Sequence, residues 1–227
     1  MALVNSDIIN IKKRGAFILF EGCDKAGKST QANKLFEYLR NNGHSVELLK
    51  FPDRKTKIGQ IINAYLANEY ELDDKAIHLL FSVNRWERMK AMKNLLLSGK
   101  TLIVDRYAYS GVSYSAAKGL DLNWCCSPDI GLLSPDVIFF MDLTAEEAEK
   151  RGGFGEERYE KKSLQEKVRK IFYMLKEKDS DKDSLWRILN ANQSVELLHK
   201  RIVEYSLKLI EKCSQLPLKE DLWKATS

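Results

Sequence analysis

The stretch FILFEGCDKAGKST, residues 17–30, decides how this chain is read. An apolar run with strand character leads into GCDKAGKS (22–29), which fits the pattern G-x-x-x-x-G-K-[S/T]. The pattern gains force from its context, because a strand before it and a helix after it make a phosphate-binding loop. KSTQANKLFEYLRNNG supplies the helix: Ala32, Leu35, Phe36 and Leu39 share one face, and Gly43 stands in the C-capping position. Backbone N–H groups of the loop and of the helix N-terminus would surround phosphate oxygens. Gly22 and Gly27 let the chain turn and approach them closely. Lys28 would place a cation on the transferring phosphates, and Ser29 would offer its hydroxyl to Mg2+.

Three residues inside the loop are unusual. Asp24 puts a carboxylate where polyphosphate is expected. It is either a solvated charge paired with Lys25 or a group facing a second ligand, such as a sugar hydroxyl. In the second case Lys25 adds a cation near the reacting phosphate. Cys23 is a small spacer, or a thiol activated by the helix N-terminus.

Outward from the loop, apolar runs alternate with helical periodicity. Strands are expected at 15–20, 45–51, 101–105, 136–143 and 185–189, and helices at 56–68, from 73 or 74 to 98, 144–151, 161–177 and 194–212. A polar, glycine-containing loop, RGGFGEERYE, follows Lys150. Strands of five to eight residues alternating with helices mean βαβ units. The fold class expected is α/β, a three-layer phosphate-loop architecture with a five-stranded parallel sheet, helices on both faces and a short lid. Residues 1–14 are expected as a loose extension, 15–223 as one domain with the lid near 151–160, and 224–227 as a tail.

Composition narrows the function. The chain has 227 residues, 44% hydrophobic, with 37 basic and 32 acidic side chains and a net charge of +5. That excess suits an anionic partner, but no stripe of Lys and Arg with interleaved aromatics points to nucleic acid. Cys23, Cys125, Cys126 and Cys213 form no CxxC pair and stand away from His44, His78 and His199. Zinc and a disulfide framework are not expected, and a reducing compartment is. The first 14 residues suit neither a secretory signal nor a transit peptide, and no apolar run nears the ~18–20 residues of a membrane span.

Loops at the carboxyl ends of parallel strands face the phosphate loop in such a sheet. FPDRKT (51–56) brings Arg54, and DRYAYSG (105–111) brings Asp105, placed to hold Mg2+, and Arg106, placed to clamp phosphate. On the long helix Phe81 and Arg85 are four apart and share a face, so a ring and a guanidinium could read a base together. Taken singly, Phe81 suits a core position and Arg54 and Arg85 the surface; their convergence opposite the loop favours a site. No His or Glu stands out as a general base. A phosphate monoester acceptor needs none, because its second pKa is about 6 and it carries nucleophilic oxygens at pH 7. Positioning and charge screening then suffice.

At these residues the chain resembles the thymidylate kinase family of the eukaryotic kind. FEGCDKAGKSTQ, FPDRKTKIG, HLLFSVNRWE, TLIVDRYAYSGVSYSAAKGL, KRGGFGEERYE and the terminal LW match in the family's order, from Gly15 to Trp223. The resemblance implies phosphoryl transfer from ATP to dTMP with Mg2+, giving dTDP for dTTP synthesis, in a homodimer of the cytoplasm with the nucleus as a second compartment. Membranes and nucleic acids are not expected as partners. It implies that Lys25, Ala26, Gly27, Lys28, Ser29, Thr30, Arg106, Arg151 and Gln193 meet ATP. Asp24 looks like the contact to the deoxyribose 3′-hydroxyl, Phe81 like the ring stacked on thymine, and Arg85 like the reader of a thymine carbonyl. Arg54 and Arg106 resemble ligands of the dTMP phosphate, beside Phe51 and Pro52. Ser110, Gly111 and Tyr114 match the stretch lining sugar and base, where a bulky Tyr114 disfavours a ribose 2′-hydroxyl. Arg158 and Tyr159 resemble lid residues that close on the reacting groups, and Gln165 a nucleotide contact. Lys28, Arg106, Lys25, Asp24 and Arg158 are the expected catalytic set, with Ser29 and Asp105 as the metal pair. Lys25 stands where close relatives often carry Arg, which keeps the cation and loses the fork. Gln193 stands where relatives carry a basic residue near adenine.

Other readings are a nucleotide kinase of different base preference, a GTPase-like switch and a basic nucleic-acid binder. The switch needs an N-K-x-D guanine reader, which the chain lacks.

Overall fold

The computed structural model describes residues 13–151, 157–179 and 185–224. Most of the expected extension (1–12), the middle of the expected lid (152–156) and the last three residues of the tail lie outside them. Five strands, β1 (Phe17–Glu21), β2 (Val46–Lys50), β3 (Thr101–Asp105), β4 (Val137–Asp142) and β5 (Trp186–Asn190), pair in the order β2-β3-β1-β4-β5, all parallel. β1 lies between β3 and β4, so the chain order reverses beside it and a crevice opens at its carboxyl end.

β1, β3 and nearly all of β4 are buried on both faces, as strands covered by helices on each side must be. Alternation then divides the core in two. Phe17, Leu19, Val104 and Phe140 face one layer, and Ile18, Phe20, Ile103 and Phe139 face the other. The second layer contains α1 (Lys28–Asn41) and the terminal α8 (Val195–Cys213), with Leu35, Leu39 and Ile202 fully buried. The first contains α3 (Asp74–Leu97), α4 (Ala108–Ala117) and α7 (Lys162–Lys178), with Met92, Val112 and Phe172 against the sheet. α2 (Lys57–Leu66) packs on α3 through Ile62, Tyr65 and Ile77. Side chains close the helix starts: Thr56 accepts from Gly59, Asp73 from Lys75 and Ala76, and Ser194 from Leu197. α6 (Ala145–Glu149) opens with a reciprocal Thr144–Glu147 capping box. Among the described residues, no helix is long and apolar enough to cross a membrane.

The expected strands and helices are present within two residues at each end. The stretch between β3 and β4 carries more than the periodicity foretold: α4, α5 (Leu122–Cys126) and a 3-10 turn, Ser127–Asp129. α4 escapes detection because it is buried nearly all round, polar Ser110, Ser113 and Ser115 included, so it has no polar face to create a 3.6-residue period. Its start is held from β1. Glu21, fully buried, accepts from the backbone N–H of Tyr107 (2.9 Å) and Ser110 (3.1 Å) and from the Ser110 hydroxyl (2.5 Å).

At the opposite end of the sheet, Arg14 donates twice to Asp136, both at 2.8 Å, and Asp136 also accepts from the backbone N–H of Phe17. Both side chains are largely buried, so removing one strands the other's charge. Asp136→Ala is expected to cost about 3 kcal/mol of stability, read from urea denaturation, without changing the cleft at the far end of the strands.

Candidate active site

The cleft at the carboxyl end of β1 has a volume of about 500 Å³. Its floor is the loop 22–29. Gly22 (φ 142°) must lack a side chain, since a Cβ would stand 2.6 Å from the Met141 carbonyl oxygen. Gly27 (φ 89°) caps α1 in a left-handed conformation, and Lys25 (φ 58°), two residues earlier, is also left-handed. The first N–H groups of α1 therefore open onto the cleft.

Lys28 lies beneath this opening, 5% exposed, donating to the Cys23 carbonyl oxygen. Burial, aided by the nearby Arg106, pushes its pKa down from 10.5 to about 8. Burial pushes the Cys23 thiol up to about 12, which favours the spacer reading over the activated thiol. Ser29 donates to Asp105 at the end of β3. The other carboxylate oxygen of Asp105, Oδ1, is buried without a partner, while the Lys50 ammonium lies 3.7 Å from Oδ2 and 3.5 Å from Ser29 Oγ. A hydroxyl and an acid with an unspent oxygen, already attracting a cation, are a donor set that suits Mg2+. That ion takes one or two protein oxygens and completes its shell with phosphate and water. Among the described residues, no group of three or more His, Cys, Asp or Glu side chains is placed to hold a metal.

Arg106 connects the two loops. Its backbone is left-handed (φ 67°), and its guanidinium donates to the Gly22 carbonyl oxygen (3.1 Å), to Ser110 Oγ (3.0 Å) and to Asp24. Asp24 is thus paired with Arg106 and not with Lys25, whose ammonium lies 3.6 Å from Glu160. Asp24 also accepts from Tyr114 Oη (2.9 Å) and Gln165 Nε2 (2.6 Å). Burial would raise the Asp24 pKa, but Arg106, Lys28 and these two donors outweigh it and hold the carboxyl below its usual value.

Across the cleft stand Phe81, half-buried, and Arg85, only 2% exposed. The surface position that suited Arg85 by residue type is therefore replaced by a buried ion pair with Asp129 (2.5 Å). Gly111 leaves room for that guanidinium, since a Cβ there would stand 2.9 Å from it. Arg54 is exposed at the rim and donates to Asn63 and to Glu157, both at 2.8 Å.

Lys25, Gly27, Thr30, Phe51, Pro52, Ser110, Tyr114, Arg151 and Tyr159 also line the cleft. Arg151 is anchored on the Lys25 carbonyl oxygen (3.0 Å) and the Ala191 carbonyl oxygen (2.5 Å). Five expected site residues are not in the wall: Asp105 lies behind Ser29, which donates to it, and four more are held elsewhere. Ala26 is buried in the α1 layer. Gln193 turns back onto the Asn190 carbonyl oxygen. Arg158 is held away by Glu71, the Tyr65 carbonyl oxygen and the Tyr65 ring. Gln165 stands behind Asp24: its Oε1 accepts from the Asp24 N–H and its Nε2 donates to the Asp24 carboxylate and the Tyr159 carbonyl oxygen. Lys50, Tyr107, Ser115, Glu157 and Glu160 line the cleft without having been singled out from the sequence. Lys50 could have been, as the last residue of a strand that points at the site. Of the two glutamates, Glu157 is paired with Arg54 and Glu160 with Lys25.

Cations gathered around a phosphate loop, with an aromatic–arginine wall opposite, suit phosphorylated ligands. A model of the thymidylate kinase family matches residues 20–202. The chain belongs to the thymidylate kinase family. It is 48% identical over 206 residues to thymidylate kinase of Arabidopsis thaliana, covering 91% of this chain and 76% of that one. It is 45% identical over 213 residues to the Homo sapiens enzyme, covering 93% and 99%. The solved structure of thymidylate kinase from Candida albicans superposes with a TM-score of 0.79 at 38% identity, over 91% of this chain and 97% of that one. The fold is that of the phosphate-loop nucleoside monophosphate kinases.

The depressed Lys28 pKa has a stability consequence. Between about pH 8 and 10.5 the unfolded chain holds this proton and the folded chain does not, so Lys28 disfavours folding at neutral pH and less so as pH rises. Lys28→Met is expected to raise the melting temperature of the ligand-free protein at pH 7, with the gain shrinking between pH 8 and 10. Paired thermal melts across that range check it.

Proposed function

We propose that this chain transfers the γ-phosphoryl group of ATP to dTMP, giving dTDP. The observation that carries the reading is the cleft itself, where a phosphate loop with a buried lysine faces Phe81 and Arg85 across Asp24 and Arg106.

The loop N–H groups and Lys28 bind the ATP phosphates, with Lys25 and Arg151 beside them. Ser29 and Asp105 would hold Mg2+, which when bound would screen phosphate charge. Lys28 rises back toward full protonation as phosphate replaces its Cys23 contact, so it meets the transition state as a cation. Arg106, permanently charged, lies between the two substrates and stabilises the negative charge they share. Arg54 leaves Glu157 to receive the dTMP phosphate. Asp24 gives its carboxylate to the sugar 3′-hydroxyl. Tyr114 closes the space beside C2′. Phe81 stacks on thymine, and Arg85 donates to a base carbonyl. No proton need be removed from the acceptor, whose phosphate is already ionised at neutral pH. Gln165 acts by holding Asp24 and the Tyr159 backbone.

ADP release with each nucleoside monophosphate tests the reading. Strong turnover with dTMP, weak turnover with dUMP and almost none with UMP, CMP, GMP or AMP is expected, and each rate should depend on Mg2+. Preference for another monophosphate overturns the base assignments and leaves the phosphate chemistry standing.

The expected homodimer has a surface to use. Leu79, Val83 and Trp86, spaced along one face of α3, are each 40–44% exposed although apolar. A second copy of this chain packs there. Val83→Glu is expected to shift the protein from dimer to monomer in sedimentation equilibrium, and an unchanged mass excludes this face.

A further inference from the structure

The 3-10 turn Ser127–Asp129 is pinned by three side chains of α3 that follow at i, i+3 and i+4. Ser82 Oγ donates to Asp129 Oδ1 (2.7 Å) and lies 3.1 Å from the Pro128 carbonyl oxygen. Arg85 donates from Nε to Asp129 Oδ1 (3.1 Å) and from Nη2 to Oδ2 (2.5 Å). Trp86 Nε1 donates to the Pro128 carbonyl oxygen (2.7 Å). Asp129 is fully buried and does not line the cleft, whereas Arg85 does. The guanidinium is thus gripped along one edge. Its remaining nitrogen, Nη1, lies beside Gly111, whose missing side chain leaves it open to the cleft.

We propose that Asp129 is the positioning residue that makes Arg85 a fixed hydrogen-bond donor, and so sets the preference for a keto over an amino group at C4 of the pyrimidine. The proposal rests on the base-reading role given to Arg85. Arg has only donors, so a keto oxygen satisfies it and an amino group leaves donor facing donor. A site that hydrogen-bonds one analogue rejects the other strongly only if the protein group cannot turn away, because the penalty comes from the polar groups left unpaired. Fork-to-fork pairing with a buried carboxylate removes that freedom and neutralises the buried charge.

The test uses the full-length protein with dTMP and with 5-methyl-dCMP, which share the methyl group and the C2 carbonyl and differ at C4 and N3. KM for dTMP, KM for ATP and the inhibition constant of 5-methyl-dCMP are measured for wild type, Asp129→Asn, Ser82→Ala, Arg85→Ala and the Asp129→Asn/Arg85→Ala pair. Asp129→Asn should narrow the dTMP preference by at least about tenfold, through the dTMP KM, with the ATP KM within about twofold of wild type. Ser82→Ala should move the same ratio in the same direction by less. Arg85→Ala should abolish the preference, and adding Asp129→Asn should change it no further. If Arg85→Ala abolishes the preference and a folded Asp129→Asn keeps it, the positioning proposal is overturned and the base-reading role stands. If Arg85→Ala keeps the preference, the base-reading role is wrong and this proposal falls with it. Should Asp129→Asn fail to fold, Ser82→Ala decides: an unchanged ratio there overturns the proposal.

Discussion

The pairing of Arg106 with Asp24 holds the site in one shape. Arg106 begins the loop after β3 and Asp24 lies in the loop after β1, and the strands beneath them are neighbours. Joining them fixes the phosphate loop against the wall that faces it. Arg106 occupies a left-handed backbone conformation that a side chain of its size rarely adopts, at a cost on the order of 1 kcal/mol. Its bonds to Asp24, Gly22 and Ser110 offset that cost and explain why the strain persists. Asp24 in turn gathers Tyr114 from α4 and Gln165 from α7. One carboxylate therefore connects the nucleotide floor to two helices of the opposite layer.

The electrostatics of the cleft suit anionic ligands. Lys28 is buried and held partly toward its neutral form, Lys25 and Arg54 rest on glutamates, and Lys50 rests on Asp105. Each cation is provided with a weak carboxylate or carbonyl partner that phosphate can displace. This balances the positive charge of the cleft and leaves it available when charge develops during transfer. Arg85 and Arg106 are held differently: Asp129 is fully buried beside Arg85, and Asp24 is tied to Arg106, Tyr114 and Gln165 at once.

Much of the candidate site is legible in the sequence. The phosphate loop is recognisable because close backbone approach to phosphate requires glycine at 22 and 27, and a cation and a hydroxyl at the start of the helix. Arg54, Phe81, Arg85 and Arg106 could be gathered because loops at the carboxyl ends of parallel strands converge. Other assignments depended on contacts that no local pattern encodes. Gln165 is 141 residues from Asp24, and only packing shows that its amide is spent on that residue instead of a ligand. Arg158 lies next to Tyr159, which lines the cleft, yet Glu71 draws it away. α4 was invisible because a helix buried all round has no alternation of polar and apolar faces.

The sequence by itself determined the α/β class, the order of strands and helices, the phosphate loop and the kind of ligand that suits it, because backbone stereochemistry and hydrophobic period act over a few residues. Only the tertiary structure decided which charges pair: Asp24 with Arg106, Lys25 with Glu160 and Arg85 with Asp129. Those choices are made by distance and burial between segments far apart in the chain, and a carboxylate removed from water takes whichever cation the fold brings within reach.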